Sequence, residues 1–188
     1  GQDPDKRGMG TTCTLAALRG NQAFLAHVGD SRAYLLRGGK LNQLTTDHSW
    51  VEEAVSDGRL NREEARIHPN RNLITRAIGL DREVQVDTYV VPLLKEDLLL
   101  LCSDGLNSMI TDEEIQKALK ANKLDKSCQA LIQSANKHGG HDNTTVVAAY
   151  IKGKTSASTS TIDNEVTQKI GRQPSAWKRL ANILFKNR

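Results

Sequence analysis

The stretch "EDLLLLCSDGLNSMI", residues 96–110, sets four leucines and a cysteine directly against Ser103-Asp104-Gly105 and then returns to apolar residues. A run this short and this apolar reads as a strand covered on both faces, although a buried helix segment would show the same pattern. Asp104 falls where the buried segment meets its turn, and a carboxylate there needs a partner to offset its loss of water. The backbone of its own Asp-Gly turn is one candidate. A bound cation is the other.

Upstream, "TCTLAALRGNQAFLAHVGDSRAYLLRGGKLNQLT" carries three turn signals, Arg19-Gly20-Asn21, Gly29-Asp30-Ser31 and Gly38-Gly39, between segments of mixed or alternating apolarity. This predicts a β-meander of about four antiparallel strands. The texture then changes to the charged "DHSWVEEAVSDGRLNREEARIHPN", which predicts two short helices broken at Asp57-Gly58 and stopped before Pro69. Strands return in "EVQVDTYVVPL" and "DLLLLCSD". Thr111 with Glu114 three residues on forms a capping box for a helix reaching about Ala121. A second helix follows, with Cys128, Leu131, Ile132 and Ala135 on one face and Gly139-Gly140 at its end. "NTTVVAAYI" closes the set as a β-branched strand.

Hairpin-linked strands with helices grouped late indicate an α+β protein built on mainly antiparallel strands. That excludes the doubly wound sheet as a home for Asp104, and no DxD pair follows an early strand as a phosphotransfer aspartate of the haloacid-dehalogenase type would require.

The formal charge of +4 belongs to the end of the chain: from Lys152 onward there are eight Lys and Arg against two acids, which leaves residues 1–151 at −2. The globular part therefore offers no electrostatic case for nucleic acid. Cys13, Cys102 and Cys128 are far apart and without CxxC spacing, which points to a reducing, cytoplasmic setting and away from zinc or a disulfide framework. No apolar run approaches the roughly 20 residues needed to span a bilayer.

Three aspartates sit beside small or turn residues at the ends of apolar strands: Asp30 in "AHVGDSRAY", Asp104 in "CSDGLNS" and Asp142 in "GGHDNTTVV". Each alone is explained as a turn former, but three of one local design suggest acids converging on a hard divalent cation, which prefers carboxylate oxygens. His138 and His141 flank Asp142 across a Gly-Gly break where helical spacing fails, so they read as loop residues. His27, His48 and His68 read as single, scattered histidines.

"MGTT", "VGDSRAYL", "LTTDHS", "TRAIG", "LLLLCSDGL" and "GGHDNTTVV" occur in an order and spacing that resembles the bacterial branch of the metal-dependent protein phosphatases, the protein phosphatase 2C family. The resemblance covers about residues 8–151. It implies a central β-sandwich flanked by helices, with a dinuclear manganese or magnesium site at one end. It also implies hydrolysis of phosphoserine and phosphothreonine esters in proteins by a metal-activated water. On that resemblance Asp104 and Asp142 match two metal-binding aspartates, and Asp30 matches an acid that helps hold a third, weaker metal. The insert from about Trp50 to Asn72 resembles the family's flap beside the substrate. The expected partners are phosphoproteins, among them serine/threonine kinases and their substrates, met by a monomer.

Members of the family open with strands carrying a phosphate-binding arginine and a further Asp-Gly pair, and "GQDPDKR" supplies neither. The sandwich is therefore expected to be incomplete at its N-terminus, with an unpaired edge or an uncovered apolar face in the sheet holding Leu98–Leu101. Two readings follow: part of an active phosphatase whose chain continues upstream, or a degenerate phosphatase-like module that binds or regulates. Retained acids at strand ends favour the first. Beyond Ile151, residues 152–173 read as a linker, and 174–188, "PSAWKRLANILFKNR", as a basic amphipathic helix suited to an anionic membrane surface.

Overall fold

The computed structural model describes residues 8–152 and the short strand 168–171. Eight strands form two antiparallel sheets. β1 (Cys13–Arg19), β2 (Gln22–Val28), β5 (Asp87–Pro92) and β8 (Gln168–Gly171) lie in the order β1-β2-β5-β8. β3 (Arg32–Arg37), β4 (Lys40–Gln43), β6 (Leu98–Cys102) and β7 (Val146–Tyr150) lie in the order β4-β3-β6-β7.

The leucine run is the hinge of the packing. Alternation along β6 sends Leu99 and Leu101 to one side, where they meet Leu35 and Ala33 of β3 and Leu25, Tyr89 and Val91 of the other sheet. It sends Leu98, Leu100 and Cys102 to the opposite side, against helices α4 (Asp112–Ala121) and α5 (Leu124–Lys137) through Ile115, Leu119, Leu131 and Ala135. The strand is thus covered on both faces, as its unbroken apolarity requires. α4 begins where the sequence places it: the Thr111 hydroxyl accepts from the Glu114 amide at 3.2 Å, and the Glu114 carboxylate accepts from the Thr111 amide at 2.8 Å.

The expected four-strand meander divides into two hairpins in different sheets, β1-β2 and β3-β4. The cause lies at Gly29-Asp30-Ser31. Gly29 has φ +113°, and a Cβ there would lie 2.4 Å from that of Thr12, so only glycine lets the chain leave one sheet for the other at this point. The backbone of the crossing is paired by His48 and not by a hairpin partner: the Gly29 amide donates to His48 Nδ1 at 3.0 Å and the His48 amide to the Gly29 carbonyl at 2.7 Å.

The charged insert forms α1 (Trp50–Ser56) and α2 (Arg62–Ile67), which end as expected near Asp57-Gly58 and before Pro69. Only Ala54 of α1 is buried and nothing in α2 is, so this pair is tied down differently from α4 and α5. Arg62 grips Glu52 through two nitrogens at 2.6 and 3.0 Å, and His68 stacks on Trp50 at 4.7 Å. Asn61 and Glu64 form a second capping box that the sequence reading passed over.

β7 has β6 as its partner among the described residues and leaves Val147 59% exposed and Tyr150 43% exposed, an open edge in the sheet that holds the leucine run. Within the segment expected as a linker, Gln168–Gly171 pairs with β5. The expected helix at 174–188 lies outside the described residues. No helix among the described residues is long and apolar enough to cross a membrane.

Candidate functional site

Antiparallel pairing explains why acids far apart in sequence gather. Cys102, the last residue of β6, pairs with Arg32 at the start of β3 and with Val146 at the start of β7. The residue two places after β6 is Asp104, two places before β3 is Asp30, and four places before β7 is Asp142, so all three emerge at one end of the sandwich. β4 runs antiparallel to β3 and delivers Asp47 to the same end.

The loops that carry Asp104 and Asp142 are stitched together. Ser103 donates from its hydroxyl to the Asn143 carbonyl at 3.0 Å and accepts from the Thr145 amide at 2.9 Å. Thr144 donates to the Gly105 carbonyl at 3.0 Å. A Cβ on Gly105 would lie 2.6 Å from the Asn143 carbonyl oxygen, so the glycine after Asp104 is required by close approach of the second loop. Asp104 itself opens a single helical turn, α3 (Asp104–Asn107).

The acids act on one another. Burial, then the charge of Asp104, pushes the Asp30 carboxyl up to about 6. Burial, then the charge of Asp142, raises that of Asp104. Asp30, Asp104 and Asp142 are thus coupled in series, and like charges held in this way favour a bound cation or a shared proton. Among the described residues, no three His, Cys, Asp or Glu side chains close around one ion. The donors present are hard carboxylate oxygens, the ligand type that suits manganese and magnesium.

The sequence reading missed the groups that support these acids. Asp47 accepts from Arg32 Nε at 2.9 and 3.0 Å and from its NH2 at 2.7 Å, while Arg32 NH1 reaches the Tyr34 hydroxyl, which donates to Asp112 at 3.0 Å. Arg32 and Asp47 were visible in "VGDSRAYL" and "LTTDHS", but their pairing depends on the β3-β4 hairpin. His27 and His48, scattered in sequence, stack in space at 4.8 Å. Burial, then the neighbouring His48, lowers His27 to about 4. His27 is accordingly neutral, donating from Nε2 to the Thr46 carbonyl at 3.1 Å, with Nδ1 2.9 Å from the Thr14 hydroxyl. His48 sits 3.5 Å from the Asp87 carboxylate, which Arg76 also approaches at 3.4 Å. His138 caps α5 and His141 lies in the loop before Asp142, as read from the Gly-Gly break.

A cavity of about 480 Å³ opens over Asp30 and Asp104, bounded by the body on one side and by Arg62, Arg66 and Arg71 of the helical insert 50–72 on the other.

Residues 3–144 match the family model described as protein phosphatase 2C. The chain is 45% identical over 144 residues to the serine/threonine phosphatase stp of Listeria monocytogenes, covering 76% of this chain and 57% of that protein. The crystal structure of the Mycobacterium tuberculosis serine/threonine phosphatase PstP/Ppp superposes with a TM-score of 0.77 at 44% identity, over 80% of this chain and 64% of that one. The catalytic domain of PstP in complex with two manganese ions superposes with a TM-score of 0.73 at 42% identity, over 80% and 63%. The chain therefore spans less than two thirds of the length of these relatives. By the family match and by these likenesses, the chain belongs to the protein phosphatase 2C family.

Proposed function

We propose that the polypeptide carrying these residues hydrolyses phosphoserine and phosphothreonine esters in proteins, with manganese or magnesium held at the acid-rich end of the sandwich. The observation that carries this is the placement of Asp104 and Asp142 on two loops stitched through Ser103, Thr144 and Gly105, in a chain whose relative PstP was crystallised with two manganese ions. Asp104 and Asp142 would hold metal, and Asp30 beside Asp104 a third and weaker ion. A bound divalent cation supplies charge neutralisation for the ester dianion and lowers the pKa of a water.

The chain's own part is support and shape. Its rigid strand ends fix the carboxylates, and Arg32 holds Asp47 so that this acid does not add an uncompensated charge to the cluster. The cavity between body and flap receives the phosphorylated side chain and its neighbours. Substrates are phosphoproteins, including serine/threonine kinases and their targets, met by a monomer in the cytoplasm. The basic segment 174–188 provides contact with an anionic membrane surface.

The test is hydrolysis of a phosphothreonine peptide by the full polypeptide with Mn2+. We expect metal-dependent turnover that Asp104→Asn lowers at least about a hundredfold, a loss comparable with removing a principal source of transition-state stabilisation. Failure of the wild-type protein to release phosphate would favour a degenerate binding module.

A further inference from the structure

The flap, residues 50–72, contains four arginines and five acids, so its net charge is close to zero. Its charges are nevertheless sorted. Arg62, Arg66 and Arg71 line the cavity over Asp104, together with one acid, Glu52, while Glu53, Asp57, Glu63 and Glu64 do not. Glu52 is taken up by the two-pronged bond from Arg62. Among the described residues Arg66 and Arg71 form no side-chain hydrogen bond and no ion pair within 4.0 Å. Across the mouth, Glu113 is held low by hydrogen bonds from its own backbone and from Thr111, and then by the charge of Arg66.

The opposite wall offers these two cations nothing else. Arg32 and Tyr34 engage Asp47 and Asp112, and Asp30 and Asp104 are the candidate metal ligands. With cations on those acids, the wall that meets the phosphate is neutralised, and the insert wall beside it carries two exposed guanidinium groups, Arg66 within electrostatic reach of Glu113 and neither in a side-chain hydrogen bond among the described residues, both free to meet an incoming carboxylate. A cavity of this volume is about 8 Å across, the reach of two to three extended residues. An anionic group at that reach from the phosphorylated residue would fit it.

We propose that Arg66 and Arg71 form a specificity subsite that selects phosphopeptides with acidic side chains within about three residues of the phosphorylated one. The subsite rests on the phosphatase reading above. It recognises carboxylates of the substrate flank, as distinct from the ester phosphate.

Two phosphothreonine peptides that differ only in having Glu or Lys at the three positions on each side distinguish the possibilities. With the Mn2+-loaded full polypeptide, the Glu peptide should be favoured about tenfold, both in kcat/KM and in affinity measured by fluorescence anisotropy, as expected for two partly exposed charge pairs. Arg66→Ala with Arg71→Ala should bring both ratios near one, and Arg66→Glu with Arg71→Glu should invert them. Each ratio is taken within one protein, so a loss of folded material cancels. A wild-type ratio near one, or a ratio untouched by the double alanine variant, overturns the subsite. An equal rise in KM for both peptides and for p-nitrophenyl phosphate also overturns it, because it places the arginines on the reacting phosphate. No turnover of any substrate by the wild type sinks the phosphatase reading itself, whereas turnover without preference sinks only the subsite.

Discussion

The two ends of the β3-β6 pair treat their acids in opposite ways: Asp97 is buried and clasped, whereas Asp30 and Asp104 are half-buried and Asp142 is exposed. β3 begins with Arg32 and ends with Arg37, and each arginine clasps an aspartate. At the closed end Arg37 reaches Asp97 at 2.9 and 2.6 Å, and the Leu94 amide adds a third bond at 2.7 Å, so a carboxylate that is only 1% exposed is fully partnered. At the site end Arg32 does the same for Asp47, yet Asp30, Asp104 and Asp142 are added with no cation among the described ion pairs. A fold that needed only stability would repeat the closed end. In the proposed reading, the surplus of acids at the other end is balanced by bound cations.

The largest effect should come from breaking the closed end. Asp97→Ala leaves Arg37 without its counter-ion in a mostly buried place and should destabilise the protein by about 3–5 kcal/mol in chemical denaturation, the range for removing one partner of a buried pair. A loss below about 1 kcal/mol would mean that this end is not held as the geometry indicates.

A second contrast lies in His27, kept neutral beneath the site. Its folded pKa of about 4 lies below the unfolded value, so the unfolded chain binds the proton more tightly between the two. The sign is therefore a stability that is intact above about pH 6.5 and falls as the pH drops towards 4, by up to about 3 kcal/mol. Denaturation curves of wild type and His27→Gln across that window should converge as the pH falls.

Asp30 should behave in the reverse sense. Its folded pKa of about 6 is raised, so its ionisation costs stability that appears as the pH rises from about 4 to 6. Without metal, Asp30→Asn should stabilise the chain at pH 7 by about 1 kcal/mol, a value reduced for solvent screening, and by nothing below about pH 4. Added Mn2+ should narrow that gap. The smallest effect belongs to α2, where Ile67 is 80% exposed and Ile67→Ala should change stability by less than about 0.5 kcal/mol.

The leucine run announced its own double burial, and the capping box at Thr111 and Glu114 set the start of α4 to the residue, because both signals are local. The position of Asp30, Asp104 and Asp142 at strand ends was also legible, since turn residues beside apolar strands are visible in one dimension. The change of sheet at Gly29 was not, because its cause is the approach of Thr12, seventeen positions away. Nor were the pairings of Arg32 with Asp47 and of His27 with His48, which the β3-β4 hairpin and the His48 clasp on Gly29 create in space.

In the proposed reading, the acids at the site end gather around divalent cations. Anomalous diffraction from crystals of the full polypeptide grown with Mn2+ tests it directly, because manganese scatters anomalously and carboxylate ligands lie about 2.0–2.6 Å from such ions. We expect peaks at that distance from Asp104 and Asp142, and their loss in Asp104→Asn crystals. Manganese bound elsewhere, with Asp104 and Asp142 more than about 6 Å from any peak, would mean that these acids are not metal ligands.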